Sequence, residues 1–168
     1  MAITTFAAID IGSYEVSMKI FEFSKKIGFR QLSDVRYRLE IGKGAYSSGR
    51  LEPEIVDAIC GILKDFDKMM KEFGVSDYHA CATSAFREMV NPLIVQEQIY
   101  RRTGIHVEIL SNAEQHFLGY KSIAAKESSF KKMIQKGTAI LDVGGGGLQV
   151  SLFDKDALVT TQSLKICL

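Results

Sequence analysis

Apolar residues along this chain switch between two spacings, and the switches mark out its elements. Phe6-Ala-Ala-Ile9 is a short run of small and apolar residues ending in Asp10-Ile-Gly-Ser13. Val16 to Phe23 then alternates apolar with polar through most of its length, the period of a half-buried strand. A third extended segment falls within Gly28 to Leu39, which predicts a three-stranded meander. The next stretch, Gly42 to Gly49, carries glycines at 42, 44 and 49 and fits neither the P-loop nor the dinucleotide fingerprint, so it reads as a flexible connection. From Pro53, suited to a first helical turn, Ile55, Ile59, Ile62, Phe66, Met69, Met70 and Phe73 recur at helical spacing as far as Gly74. A long amphipathic helix is expected there, its methionines filling gaps in the core.

Beyond Gly74 the two periods alternate. Tyr78 to Ala82 reads as a strand, followed by Thr83-Ser-Ala-Phe-Arg-Glu88 and a helix opened by Asn91 and Pro92 and closed near Gly104. His106 to Leu110 is another strand, and Ser111-Asn-Ala-Glu114 has the spacing of a capping box, so a helix runs from there to about Lys126. Glu127 to Gly137 is polar and basic, a solvated connection. A strand from Thr138, a turn at Gly144 to Gly147, and strands over Leu148–Phe153 and Ala157–Leu164 complete a second hairpin-like group. Alternation in the middle with meanders at both ends predicts an α/β layer structure with a mixed sheet.

Composition narrows the class. At 168 residues the chain has the size of one domain, and 21 Lys and Arg against 20 Asp and Glu leave no global field to attract nucleic acid or an anionic membrane. The apolar runs are too short to span a bilayer and the N-terminus has no secretory pattern, so the expected location is cytoplasmic. Cys60, Cys81 and Cys167 are odd in number, widely spaced and set in apolar sequence, as reduced core thiols are. His79 and His106 form no ligand spacing with His116, which reads as a packing residue.

Chemistry concentrates in two turns, Asp10-Ile-Gly-Ser13 and Asp142-Val-Gly-Gly-Gly-Gly147. Glycines let backbone N–H groups converge on an anion, and the leading acid can hold a hard cation that neutralises phosphate charge. The pair suggests a clamp on a phosphate chain. Arg87, just beyond a strand end and next to Ser84, has the planar fork for bidentate phosphate binding.

Four segments in order, Asp10-Ile-Gly-Ser13, Ala82-Thr-Ser-Ala-Phe-Arg87 with Asn91 after it, Ile109-Leu-Ser-Asn-Ala-Glu-Gln115, and Leu141-Asp-Val-Gly-Gly-Gly-Gly147, spread over nearly the whole chain. Together they resemble the exopolyphosphatase and guanosine pentaphosphate phosphohydrolase family, within the larger group sharing the fold of actin, sugar kinases and heat-shock chaperones. The resemblance implies a ribonuclease-H-like, actin-type ATPase lobe with a mixed central sheet and helices on both faces. It further implies a second lobe closing over a cleft, and magnesium-assisted removal of terminal phosphate from polyphosphate or a guanosine polyphosphate. On that footing residues 1–168 are a single first lobe, and self-association through the face of the missing lobe is expected.

The resemblance assigns magnesium to Asp10 and Asp142, and phosphate to Gly12, Ser13, Ser84, Arg87, Gly144, Gly145 and Gly146. The family's general-base glutamate aligns with Gln115, directly after Glu114, and a second family carboxylate aligns with Gln149, after Leu148. Glutamine orients water but accepts no proton at neutral pH, so direct base catalysis worth ~10²–10⁴-fold is absent at that position unless the alignment slides by one to Glu114. Tyr14 and Glu15 also depart from the family pattern, and Glu15 adds a carboxylate beside the first turn. Two readings follow: a hydrolase of this class, or a phosphate- or nucleotide-binding regulatory module with weakened turnover. An actin-like kinase lobe is a third, and it would need an adenosine site in the second half.

Overall fold

The computed structural model describes residues 3–25 and 28–165; Cys167, expected as a core thiol, lies outside them. The chain forms two compact units, Met1–Ile109 and Leu110–Leu168.

The first unit opens with the expected meander, β1 (Thr4–Ile11), β2 (Glu15–Ser24) and β3 (Gly28–Arg38). It continues through α1 (Ile41–Ser48), α2 (Pro53–Glu72), β4 (Asp77–Ala82), α3 (Ser84–Arg87), α4 (Pro92–Thr103) and β5 (Val107–Ile109). Its five-stranded sheet has the order β3-β2-β1-β4-β5, antiparallel within the meander and parallel from β1 through β4 to β5. The sheet is therefore mixed. Alternation sends Ala7, Ile9 and Ile11 of β1 and Val16, Met18 and Ile20 of β2 into the core, where α2 packs on β2 with Ile59, Leu63 and Phe66. Each of the larger apolar side chains removed from water contributes roughly 1.5–3 kcal/mol, before the entropy of ordering it is counted.

Two expectations change here. Gly42 to Gly49 is α1 and not a flexible connection: Ile41 and Ala45, one turn apart, are buried, and Gly49 caps the helix in the left-handed conformation at φ 70°. The buried stripe of α2 is Val56, Ile59, Cys60, Leu63, Phe66 and Met70, which leaves Phe73 beyond the last turn and 40% exposed. Pro53 occupies the first turn of α2 as expected, while Asn91 makes no side-chain cap on α4. Cys60 lies in the core; Cys81 is only half-buried, on the opposite face of the sheet, with its Sγ 3.6 Å from His79 Nε2.

The second unit holds α5 (Asn112–Lys126), α6 (Phe130–Ile134), and a three-stranded antiparallel sheet β6-β7-β8 (Thr138–Gly144, Gly147–Asp154, Ala157–Leu164). α5 begins with the capping box read from the sequence, Ser111 and Glu114 each bonding the other's backbone N–H. The stretch Glu127 to Gly137 is more than a solvated connection, because α6 lies within it and buries Ile134. Leu110 and Phe153 are also buried in this unit, Phe153 edge-on to Tyr120 with ring centroids 5.1 Å apart. No helix among the described residues is long and apolar enough to cross a membrane.

Candidate functional site

Because β1 and β4 run parallel and adjacent, their carboxyl ends stand side by side, with Ile11 in register with Ala82. Crevices outside the carboxyl ends of parallel strands are where open α/β sheets bind ligands. After β1 the chain turns through Gly12 and Ser13, Gly12 N–H donating to the Glu15 carbonyl at 2.9 Å. After β4 it turns through Thr83, whose N–H reaches the Ile11 carbonyl at 3.3 Å, into α3. α1 is tied to the same place, its Gly42 N–H donating to the Ser13 carbonyl at 2.8 Å.

Three hydroxyls meet there. Ser13 Oγ is 2.5 Å from Tyr46 OH and 3.0 Å from Ser84 Oγ, and the phenol is 2.9 Å from Ser84 Oγ. Two of the phosphate-binding residues expected from the sequence, distant along the chain, are thus in direct contact. The residue that joins them, Tyr46, belongs to α1, in the stretch whose sequence predicts a flexible connection. Gly42 makes the junction compact, since a Cβ there would stand 2.7 Å from Tyr46 Cε2 and 3.2 Å from Ser13 Cβ. Arg87, at the end of α3, is half-buried; burial pushes its guanidinium pKa down, while the Tyr46 phenol and the Glu88 carboxylate pull it back up. Arginine stays charged under such opposition.

Asp10 is the penultimate residue of β1, in register with Ser17 on one side and Cys81 on the other. Its side chain is exposed to solvent, yet the atoms packed around it and then the Glu15 carboxylate hold its pKa above the ordinary carboxylate value. Glu15 is also 3.4 Å from Arg36 on β3, which shares its charge. On the same face His79 Nε2 lies 2.7 Å from Glu108 Oε2. Among the described residues no three His, Cys, Asp or Glu side chains are grouped so as to hold a metal ion.

In the second unit Glu114 spends its carboxylate on the cap: Oε2 accepts from Ser111 N–H at 2.8 Å and from Ser111 Oγ at 2.7 Å. Those bonds hold its pKa below the ordinary glutamate value, which makes it a poorer base. Gln115 follows on the helix, half-buried, its N–H donating to the Ser111 carbonyl at 3.0 Å. Asp142 on β6 is in register with Gln149 on β7, and both line a cavity of about 220 Å³ together with His116, Tyr120 and Ser151. Gln149, 8% exposed, donates its amide toward Tyr120 OH at 3.5 Å, Ser151 Oγ at 3.4 Å and Thr161 Oγ1 at 3.2 Å, and Tyr120 also bonds Ser151. Gly144 pairs with Gly147, so Gly145 and Gly146 form a two-residue hairpin connection between β6 and β7.

A model of the Ppx/GppA phosphatase family matches residues 20–167. Exopolyphosphatase 1 of Mycobacterium leprae is 24% identical over 144 residues, which are 85% of this chain and 41% of that protein. The crystal structure of the Aquifex aeolicus Ppx/GppA family member matches with a TM-score of 0.78 at 25% identity, covering 98% of this chain and 52% of its own. An exopolyphosphatase from Cytophaga hutchinsonii matches with a TM-score of 0.83 at 23% identity, covering 97% of this chain and 51% of its own. The α/β fold with a mixed sheet, expected from the sequence, is the fold these structures share with the chain. The chain spans about half the length of those two structures and less of the curated relative.

Proposed function

The chain belongs to the Ppx/GppA phosphatase family, and from that premise we propose that it is a cytoplasmic phosphoanhydride hydrolase releasing terminal phosphate from inorganic polyphosphate or guanosine pentaphosphate. The observation that carries this reading is the meeting of Ser13 and Ser84 with the Arg87-bearing turn outside the carboxyl ends of β1 and β4. Hydroxyl donors with an arginine on the same short helix suit a phosphoryl oxygen, and phosphoryl transfer asks the protein mainly for placement and charge neutralisation.

Asp10 is the residue of this unit fitted to magnesium. Its carboxylate, with Glu15 nearby, would gain from a cation, and magnesium held there would take its other ligands from phosphate and water. When bound, magnesium would neutralise phosphate charge and polarise the oxygens. Asp142 is the corresponding carboxylate of the second unit. Gln115 can orient a water without taking its proton, so the rate expected is low. Purified protein given magnesium and polyphosphate or guanosine pentaphosphate should release orthophosphate, and Gln115→Glu should raise that rate by roughly 10²-fold or more. No release from either protein, combined with no binding of tripolyphosphate, sinks the reading.

A second reading is favoured by Gln149. Its amide is built into a network of three hydroxyls as a donor, a role that a carboxylate at the family position does not fill. The chain would then be a module that binds a phosphate chain or nucleotide with little turnover. Binding without phosphate release, unchanged by Gln115→Glu, is the result that selects it.

A further inference from the structure

We propose that the phenolic hydroxyl of Tyr46, and not Ser13, is the donor that meets the phosphate oxygen in the first unit, with Ser13 and Ser84 aiming it. This rests on the phosphate-binding reading of the crevice given above.

Ser13 is 6% exposed, and the atoms on its hydroxyl are Tyr46 OH at 2.5 Å and Ser84 Oγ at 3.0 Å. Ser13 is the most buried of the three, Tyr46 and Ser84 being half-buried. A hydroxyl carries one donatable hydrogen and can accept two. Three hydroxyls in mutual contact can therefore satisfy one another in a closed ring, each donating once and accepting once, and no buried side-chain polar atom among the described residues lacks a partner. An arriving oxyanion offers acceptors only, so one hydroxyl must turn its hydrogen out of the ring. The other two keep donating inward and still leave every oxygen bonded.

Tyr46 is the member best placed to turn. A phenol is a stronger donor than an alkyl alcohol, and the Ser84 that bonds this phenol shares the short helix α3 with Arg87, so an oxyanion bound to Tyr46 would approach the helix that carries a cation. Its ring is held. The side chain of a helical residue leans back over the preceding turn, here onto Gly42, whose missing Cβ leaves room for the ring and whose N–H is bonded to the Ser13 carbonyl. The phenol is thus fixed to the same backbone turn that it serves. A rigid aromatic group with two side-chain torsions loses little entropy when it binds.

The test uses the 168-residue protein with tripolyphosphate and magnesium as the probe, read by calorimetry. Tyr46→Phe keeps the ring, removes the hydroxyl and should weaken binding by about tenfold, the worth of a hydrogen bond to a charged group. Ser13→Ala should weaken it less. Independently, 3-fluorotyrosine placed at position 46 should show its ¹⁹F resonance moving as tripolyphosphate is added and saturating with the calorimetric curve, which a merely structural tyrosine would not do. Wild-type binding that persists unchanged in Tyr46→Phe, or a ¹⁹F resonance that stays still while ligand binds, overturns the role of Tyr46 and leaves the phosphate reading intact. Failure of the wild-type protein to bind tripolyphosphate overturns both. If Tyr46→Phe folds poorly, the fluorine measurement on the tyrosine-bearing protein decides alone.

Discussion

Replacing Gly42 by alanine should destabilise the first unit, whereas the same change at Gly61 should stabilise it, although both glycines are helical. Gly61 lies inside α2 with nothing within 4 Å of an added Cβ, so Gly61→Ala should gain about 0.5–1 kcal/mol from helix propensity alone. Gly42 is the second residue of α1, where that gain is smaller. Its added methyl would stand 2.7 Å from Tyr46 Cε2, an overlap of roughly 1 Å against ordinary carbon contact, and also 3.2 Å from Ser13 Cβ. Either the ring swings away and gives up its bonds to Ser13 and Ser84, or α1 lifts and gives up the Gly42–Ser13 backbone bond. At about 1 kcal/mol for each neutral hydrogen bond, or 1–3 kcal/mol for overpacking, the net loss should be about 1–2 kcal/mol. Urea unfolding followed by circular dichroism measures it, with Gly61→Ala as the internal control. Tyr46→Ala should remove most of the Gly42→Ala penalty if the ring is the obstacle, a coupling that a double-mutant cycle isolates. A Gly42→Ala protein as stable as Gly61→Ala, or a penalty unchanged by Tyr46→Ala, would refute the packing argument.

Ser111→Ala should cost about 1 kcal/mol by removing the cap of α5, with faster hydrogen exchange at the first amides of that helix. Glu114 is held below its ordinary pKa by Ser111, so its contribution is present above the unfolded-state value and disappears as pH falls through the lower folded value; an acid limb of stability equally steep in Ser111→Ala would contradict this. Gln149→Glu should destabilise by about 1–3 kcal/mol near neutral pH, because it buries a carboxylate. Burial raises the pKa of that acid, so the loss should grow as pH rises through its folded value and be smallest below the ordinary glutamate range; urea midpoints at two pH values suffice, and equal midpoints would show the site tolerates the charge.

What was legible in the sequence was whatever local rules determine. The capping box at Ser111 and Glu114, Pro53 in the first turn of α2, and Gly104 closing α4 in the left-handed conformation all lie where residue chemistry places them. The missed pieces depend on contacts far along the chain. α1 is eight residues with glycines at its second and fourth positions, and its only apolar pair at helical spacing is Ile41 and Ala45, so its propensity is poor. Its conformation comes from tertiary fit: Gly42 against Ser13, Gly49 against Val90. Tyr46 was hidden for the same reason. The site was half-legible, since Ser13 and Ser84 could be chosen from motifs while the group bridging them could not.

The same distinction separates the two glycine turns, which looked alike as motifs. Each follows the first strand of an antiparallel meander, β1-β2-β3 in one unit and β6-β7-β8 in the other, and each carries an aspartate near that strand's end. In the second, packing explains part of the glycine content without any ligand: a Cβ on Gly147 would stand 2.2 Å from the Leu164 carbonyl oxygen, and Gly145 and Gly146 are the connecting residues of the hairpin. Glycine number is therefore a weak guide to anion binding there. In the first turn one glycine suffices, and the donors gathered around it are side-chain hydroxyls brought in by α1 and α3, with Arg87 at the end of α3. The convergence of those groups from three separate stretches of chain is what turn packing leaves unexplained, and it is why the phosphate reading rests on the first unit more heavily than on the glycine-rich loop.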